Sequence, residues 1–277
     1  MELRTRPTRS AAICVASALS LLTLIAAPTG AWASDTSSAN ASPYVIAESL
    51  ANIETANPSL LREPVGNSGT GTSLLLSGNV TVPTTLSDGV TVASDIGGFH
   101  VDLPNASTAG AAQTLDNGTV VYPGGSSANS VAVIDGGVQV LTTITRADAP
   151  VDYAYDVSLE ASQKLELADA GPAVVNGDGS LAVVVGEAWA KNANGVDVPT
   201  SYTVAASTMI QTVDHTSMAN VAYPVVADPI WLAPFVVKCL VGLGATGPQI
   251  AQIGLSGIPR SVLAALGRAG VACVFGK

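Results

Sequence analysis

From Leu74 to Val226 the chain alternates apolar and polar residues in short runs broken by turn residues. Phe99, Val101 and Leu103 interleave with His100 and Asp102, and Tyr153, Tyr155 and Val157 interleave with Asp152, Ala154, Asp156 and Ser158. A period of two puts one set on a buried face and the other in solvent, as in a half-buried strand. On this reading strands run over 79–82, 90–93, 99–103, 119–122, 130–134, 138–145, 151–159, 164–168, 181–185, 200–206, 209–213 and 219–226. Asp88-Gly89, Asn117-Gly118, Asp135-Gly136, Asp178-Gly179 and Asn194-Gly195 supply the positive-φ residues of tight turns between them. Short strands at this spacing predict a mainly β fold with an antiparallel, sandwich-like body over 74–228. Strand–helix alternation is absent, which disfavours a doubly wound sheet.

The period changes at the ends. Pro234 opens an apolar segment that reads as a helix to about Leu243, and Pro248 and Pro259 stand where first helical residues often do. Val262, Leu266, Ala269 and Cys273 share one helical face, with Arg260, Ala264 and Arg268 on a separate stripe. The residues 229–277 are therefore expected to form a small helical tail, too short in each run to cross a bilayer. Tyr44 to Leu61 reads as a short helix interrupted at Asn57-Pro58, inside a low-complexity linker over 34–73 that ends in the Gly-rich stretch Gly66–Gly71. Arg4, Arg6 and Arg9, the apolar run Ala11–Ala27 and Ala31-Trp32-Ala33 mark residues 1–33 as a Sec-type signal peptide cleaved between Ala33 and Ser34. The protein is expected outside the cell or associated with the cell wall.

Charge sharpens the division. Removing Arg4, Arg6, Arg9 and Glu2 from 11 basic and 21 acidic residues leaves 8 and 20, a net charge of −12. From Pro229 onward there is no acid, only Lys238, Arg260, Arg268 and Lys277, so Ser34–Asp228 carries −16. Such a body repels a nucleic-acid backbone. The tail also holds Cys239 and Cys273, the two cysteines that survive export. A bridge between them closes a loop of about 35 residues and contributes roughly 3–4 kcal/mol in the chain-entropy picture.

Candidate chemistry is sparse. His100 and His215 are the only histidines, far apart, and no Cys-x-x-Cys or His-Glu-x-x-His spacing exists. Asn176-Gly177-Asp178-Gly179-Ser180 has oxygen ligands at alternate positions but lacks the closing Glu of a calcium loop, so it reads as a hairpin turn. Gly66-Asn67-Ser68-Gly69 is faintly similar to a serine-protease motif, but both histidines follow Ser68 and the segment lies in a linker. Asp214-His215 is the better acid–base pair, although adjacent strand residues point to opposite faces. No metal, cofactor or catalytic residue is expected, and a secreted hydrolase is the least favoured class.

A stretch beginning Gly186-Glu187-Ala188-Trp189-Ala190 and ending Tyr223-Pro224-Val225-Val226-Ala227-Asp228-Pro229-Ile230-Trp231 resembles a β-rich module of uncharacterised secreted actinobacterial proteins. In that family a short, Cys-containing hydrophobic tail follows the same ending. The resemblance implies export from a Gram-positive bacterium and brings no catalytic residue. Two functions then stand. In the first, a non-enzymatic secreted protein carries a cationic, bacteriocin-like or envelope-interacting tail, whose contacts with an anionic membrane or envelope are Trp231, Lys238, Arg260, Arg268 and Lys277. In the second, the β body is an extracellular binding or adhesion module and the tail is a structural cap.

Overall fold

The computed structural model describes residues 41–66, 69–168, 171–256 and 260–275. The expected signal segment, its expected cleavage point at Ala33 and Ser34, Ser68 and Lys277 lie outside the described residues, as does the side chain of Arg260. Two antiparallel sheets of seven and ten strands build the body, so the chain is mainly β and sandwich-like. The smaller sheet runs in the order β1 (Gly71–Leu75), β2 (Gly78–Val82), β3 (Val90–Ser94), β4 (Gly97–Asp102), β9 (Asp152–Ser158), β15 (Thr208–Val213) and β14 (Thr200–Ala205). The larger runs β10 (Lys164–Ala168), β11 (Gly171–Val175), β12 (Leu181–Val185), β17 (Ile230–Leu232), β8 (Gly137–Ile144), β7 (Ser127–Ile134), β6 (Val120–Tyr122) and β5 (Gln113–Thr114). To it are added β13 (Ala190–Lys191) and β16 (Val225–Ala227), paired with each other, β16 also lying against β8.

The alternation along the chain becomes the two faces of the smaller sheet. In β9, Tyr153, Tyr155 and Val157 are buried, while Asp152, Ala154, Asp156 and Ser158 are exposed. The inward residues meet the larger sheet through aromatic contacts: the Trp231 ring stacks on Phe99 at 5.7 Å and lies tilted against Tyr155 at 6.3 Å. Strands β7 and β8 are instead buried at every position. Their outer face is covered by helix α1 (Pro43–Ala56), whose Ile46, Leu50 and Ile53 form a second core with Val121, Leu141 and Val226. Such double coverage removes alternation from the sequence.

The segment read as a linker is thus a packed layer over much of its length. Ser42 caps α1 by accepting from the Val45 N–H at 3.4 Å, and Pro43 sets the first helical φ. After the helix the chain is tied to β8 by buried Gln139, which donates to the Leu60 carbonyl at 2.8 Å and accepts from the Arg62 N–H at 2.9 Å.

The boundary expected at Asp228 is also corrected. Val225–Ala227 pairs with the Thr142–Ile144 half of β8, and Ile230–Leu232 pairs with its Gly137–Gln139 half. The charge change therefore falls inside one continuous edge-to-edge pairing with β8, because apolar residues on both sides of Asp228 fill the same interior. Gly137 makes room for it: a Cβ there would stand 2.1 Å from the Trp231 carbonyl oxygen. Trp231 is fully buried, so it is not a surface contact.

The predicted strand over 219–226 shrinks to Val225–Ala227, because the chain before it turns through Pro224, which has no N–H to give a ladder. Helices α2 (Pro234–Gly242), α3 (Gly247–Ser256) and α4 (Arg260–Phe275) follow β17. Val236, Val237, Leu240, Ile250, Ala251 and Ile253 are buried in the main core. A disulfide joins Cys239 in α2 to Cys273 in α4. The expected inner face of α4 changes phase: Gly267 is non-helical, and beyond it Gly270, Cys273 and Val274 are buried while Ala269 is exposed.

Trp231→Ala removes the largest buried side chain at the meeting of the two sheets. The expected loss is about 3–5 kcal/mol of folding stability, read from urea unfolding of the purified chain.

Candidate functional site

Asp228 is the one carboxylate buried completely among the described residues. It stands where β16 ends and Pro229 interrupts the ladder. One carboxyl oxygen accepts from the Trp189 N–H at 3.0 Å and from the Tyr202 hydroxyl at 3.4 Å, and the Asp228 N–H donates back to the Trp189 carbonyl at 3.3 Å. The other oxygen has no hydrogen-bond partner among the described residues. Burial holds the Asp228 carboxyl well above the usual carboxylate range, and the hydrogen bonds from Trp189 and Tyr202 offset that only in part. Burial likewise pushes the Tyr202 hydroxyl far up, with the neighbouring carboxyl adding to it. Burial of this kind favours the protonated acid over the carboxylate, and the group acts as a hydrogen-bonding clamp between β13, β14 and β16.

The other sequence candidates separate. Asp214 and His215 follow β15 and diverge. Asp214 accepts from the Ser217 N–H at 3.1 Å and closes a turn, and hydrogen bonding from the Ser217 side chain, with the backbone bond adding to it, holds its carboxyl below the usual range. His215 is buried: its Nε2 lies 3.2 Å from the Pro150 carbonyl and its Nδ1 lies 2.7 Å from the Tyr223 hydroxyl. A carbonyl only accepts, so Nε2 carries the proton and, in the neutral ring, Nδ1 accepts from Tyr223. That ring pins the segment before β16 and has no approach from solvent. In the Asn176–Ser180 turn, Asp178 accepts from the Ser180 N–H and hydroxyl, as a hairpin turn requires. Among the described residues no group of three or more His, Cys, Asp or Glu side chains could hold a metal ion.

Two surfaces remain open. The helical cap turns Lys238, Val241, Leu243 and Arg268 outward, with Val241 and Leu243 each about two-fifths exposed (44% and 40%). These residues sit on helices α2 and α4, or directly after α2, and the Cys239–Cys273 bridge ties the two helices together. Of the contact residues expected from sequence, Lys238 and Arg268 are exposed on the helices of the cap and Trp231 is inside the sandwich. Val241 and Leu243 were missed because an apolar residue in a nearly all-apolar helix carries no sign of which side it faces. A cleft of about 850 Å3 opens between the edge strands β10 and β14, with Leu165, Leu167 and Val204 in its lining and Lys164 and Glu166 beside them. No helix among the described residues is long and apolar enough to cross a membrane.

Comparisons with protein families, with curated proteins and with solved structures found no match to this chain.

The clamp has a testable sign. Asp228 holds its proton to higher pH in the fold than in the unfolded chain, which loses it above about pH 4. The unfolded state then binds fewer protons, so this group's contribution falls as pH rises toward the folded pKa. Asp228→Asn keeps an acceptor for the Trp189 N–H and removes the titration. The stability of the variant relative to the parent, from urea melts, is expected to grow between about pH 4 and pH 8.

Proposed function

We propose that this is an exported, non-enzymatic β-sandwich protein that docks peripherally on an anionic membrane surface through the outer face of its helical cap. The observation that carries the reading is the two-sided character of the tail. Its inner side chains, Val236, Val237, Leu240 and Ile250, are buried with the body. Its outer side combines two cations, Lys238 and Arg268, with exposed Val241 and Leu243, and the tail contains no acid. A soluble polyanion would satisfy the cations and leave both apolar side chains in water, whereas a lipid headgroup layer takes both. The body's charge of −16 keeps the rest of the molecule away from the same surface and so orients it. Release of the tail as a free peptide is disfavoured, because β17 lies between β12 and β8 and would have to leave the sheet.

A second reading keeps the tail as a cap only and assigns binding to the body. The β10–β14 cleft favours it, as a place where two free strand edges and the sandwich interior meet solvent. Vesicle sedimentation separates the two. With phosphatidylglycerol-rich vesicles at low salt, the parent chain is expected to pellet and to be released by raised ionic strength. Each cation near such a surface contributes about 1 kcal/mol, so Lys238→Gln with Arg268→Gln weakens partitioning by about 30-fold. Val241→Ser with Leu243→Ser weakens it too, without changing the melting temperature. Failure of the parent chain to bind these vesicles overturns the membrane reading and leaves the cleft.

A further inference from the structure

We propose that Thr91 is an acyl-acceptor site: its hydroxyl, activated by His100 with Asp102 behind the imidazole, takes the acyl group from a small oxygen ester. The three side chains lie on the outward face of the smaller sheet. Thr91 and His100 are directly opposite across the β3–β4 hairpin, and Asp102 is two residues along the same face of β4. The Thr91 Oγ1 is 2.9 Å from His100 Nδ1, and His100 Nε2 is 3.2 Å from Asp102 Oδ1.

Chemistry settles the direction of both bonds. An ionised carboxylate only accepts, so the proton on Nε2 points to Asp102. In the neutral imidazole Nδ1 is then the acceptor, and Thr91 donates its hydroxyl proton to it. That order of nucleophile, base and orienting carboxylate is what general-base activation of a hydroxyl requires. Its support is rigid. Thr91 is paired on one side with Thr81 and on the other with His100, so its backbone belongs to the ladder. Gly89, at φ +63°, runs its backbone against the pair: a Cβ there would come 2.4 Å from His100 Nε2 and 2.8 Å from Asp102 Oδ1. A side chain at that position would push the imidazole off the carboxylate.

In the reaction, Thr91 Oγ1 attacks the ester carbonyl carbon as its proton passes to His100 Nδ1. The carbonyl-to-leaving-oxygen bond then breaks, and the imidazolium returns the proton to the departing oxygen. The products are an O-acylthreonine and an alcohol or phenol, with no change of oxidation state. Side-chain exposures of 31% for His100 and 52% for Asp102 leave the site open rather than enclosed. The expected behaviour is therefore slow, stoichiometric acylation by a small activated ester. His100 is the base, Thr91 the acceptor, and Asp102 a positioning residue.

The test treats the whole chain, without its signal segment, with p-nitrophenyl acetate and maps the acetyl group by peptide mass spectrometry. One acetyl group is expected on the peptide containing Thr91. Thr91→Val abolishes that label and Thr91→Ser keeps it. His100→Gln slows labelling of Thr91 by about 100-fold. Asp102→Asn slows it at least 10-fold with an unchanged melting temperature, and Asp102→Glu restores part of the rate. Acetyl groups found only on lysines, or labelling of Thr91 at the parent rate in His100→Gln, overturn the proposal.

Discussion

The element from Val225 to Leu232 holds the molecule together. It lies along the whole of β8, first through Thr142–Ile144 and then through Gly137–Gln139. On its other side it meets β13 and β12. Proline at 229 cannot donate to a ladder, yet its carbonyl accepts from the Val140 N–H at 2.8 Å and the register with β8 is the same on both sides of it. On the opposite side Asp228 and Trp189 extend the β13 pairing, the Asp228 N–H donating to the Trp189 carbonyl and the Trp189 N–H donating to the Asp228 carboxyl. Two residues after the proline Trp231 enters the space between the sheets and meets Phe99 and Tyr155. Strand order, core contact and cap attachment all pass through these eight residues.

This arrangement explains why the tail does not behave as a separate piece. An abrupt loss of acidic residues suggests a boundary, because modules with different tasks differ in charge. Here the loss marks no separate piece: β17 is a strand of the larger sheet, and the inner side of the helices is buried where an ionised carboxylate has no water. The cations that remain, Lys238 and Arg268 among those described, stay on the outer side. The Cys239–Cys273 bridge reinforces the cap, since it ties α4 to a helix already sunk in the body.

Strand content was legible where alternation is clear and one face meets water, but the exposed edge strand β1 was read as linker and β11 was not read as a strand. Alternation identifies β4 and β9, and turn pairs such as Asn117-Gly118 separate their neighbours. It fails where both faces are covered or where the strand is very short, as in β13 and β17. Helix α1 was legible as an element but not as a layer, because its apolar stripe says that something covers it and not what. The outward set of residues on β4 was also visible: His100 and Asp102 alternate with Phe99 and Val101. Thr91 was not attached to them, since its neighbour across the hairpin depends on the register of β3 with β4.

By itself, then, the sequence determined the period-two body, its turns, the charge asymmetry and the pair of cysteines. These follow from local stereochemistry and from composition. Only the tertiary structure decided that Asp228 is interior, that Trp231 is core rather than surface, and that Val241 and Leu243 face outward. Each of those depends on which distant strand or helix lies alongside, and a residue's own neighbours in the chain do not carry that information. Pairing fixes burial, and burial raises the pKa of one carboxyl that serves as a clamp while leaving others as exposed charges.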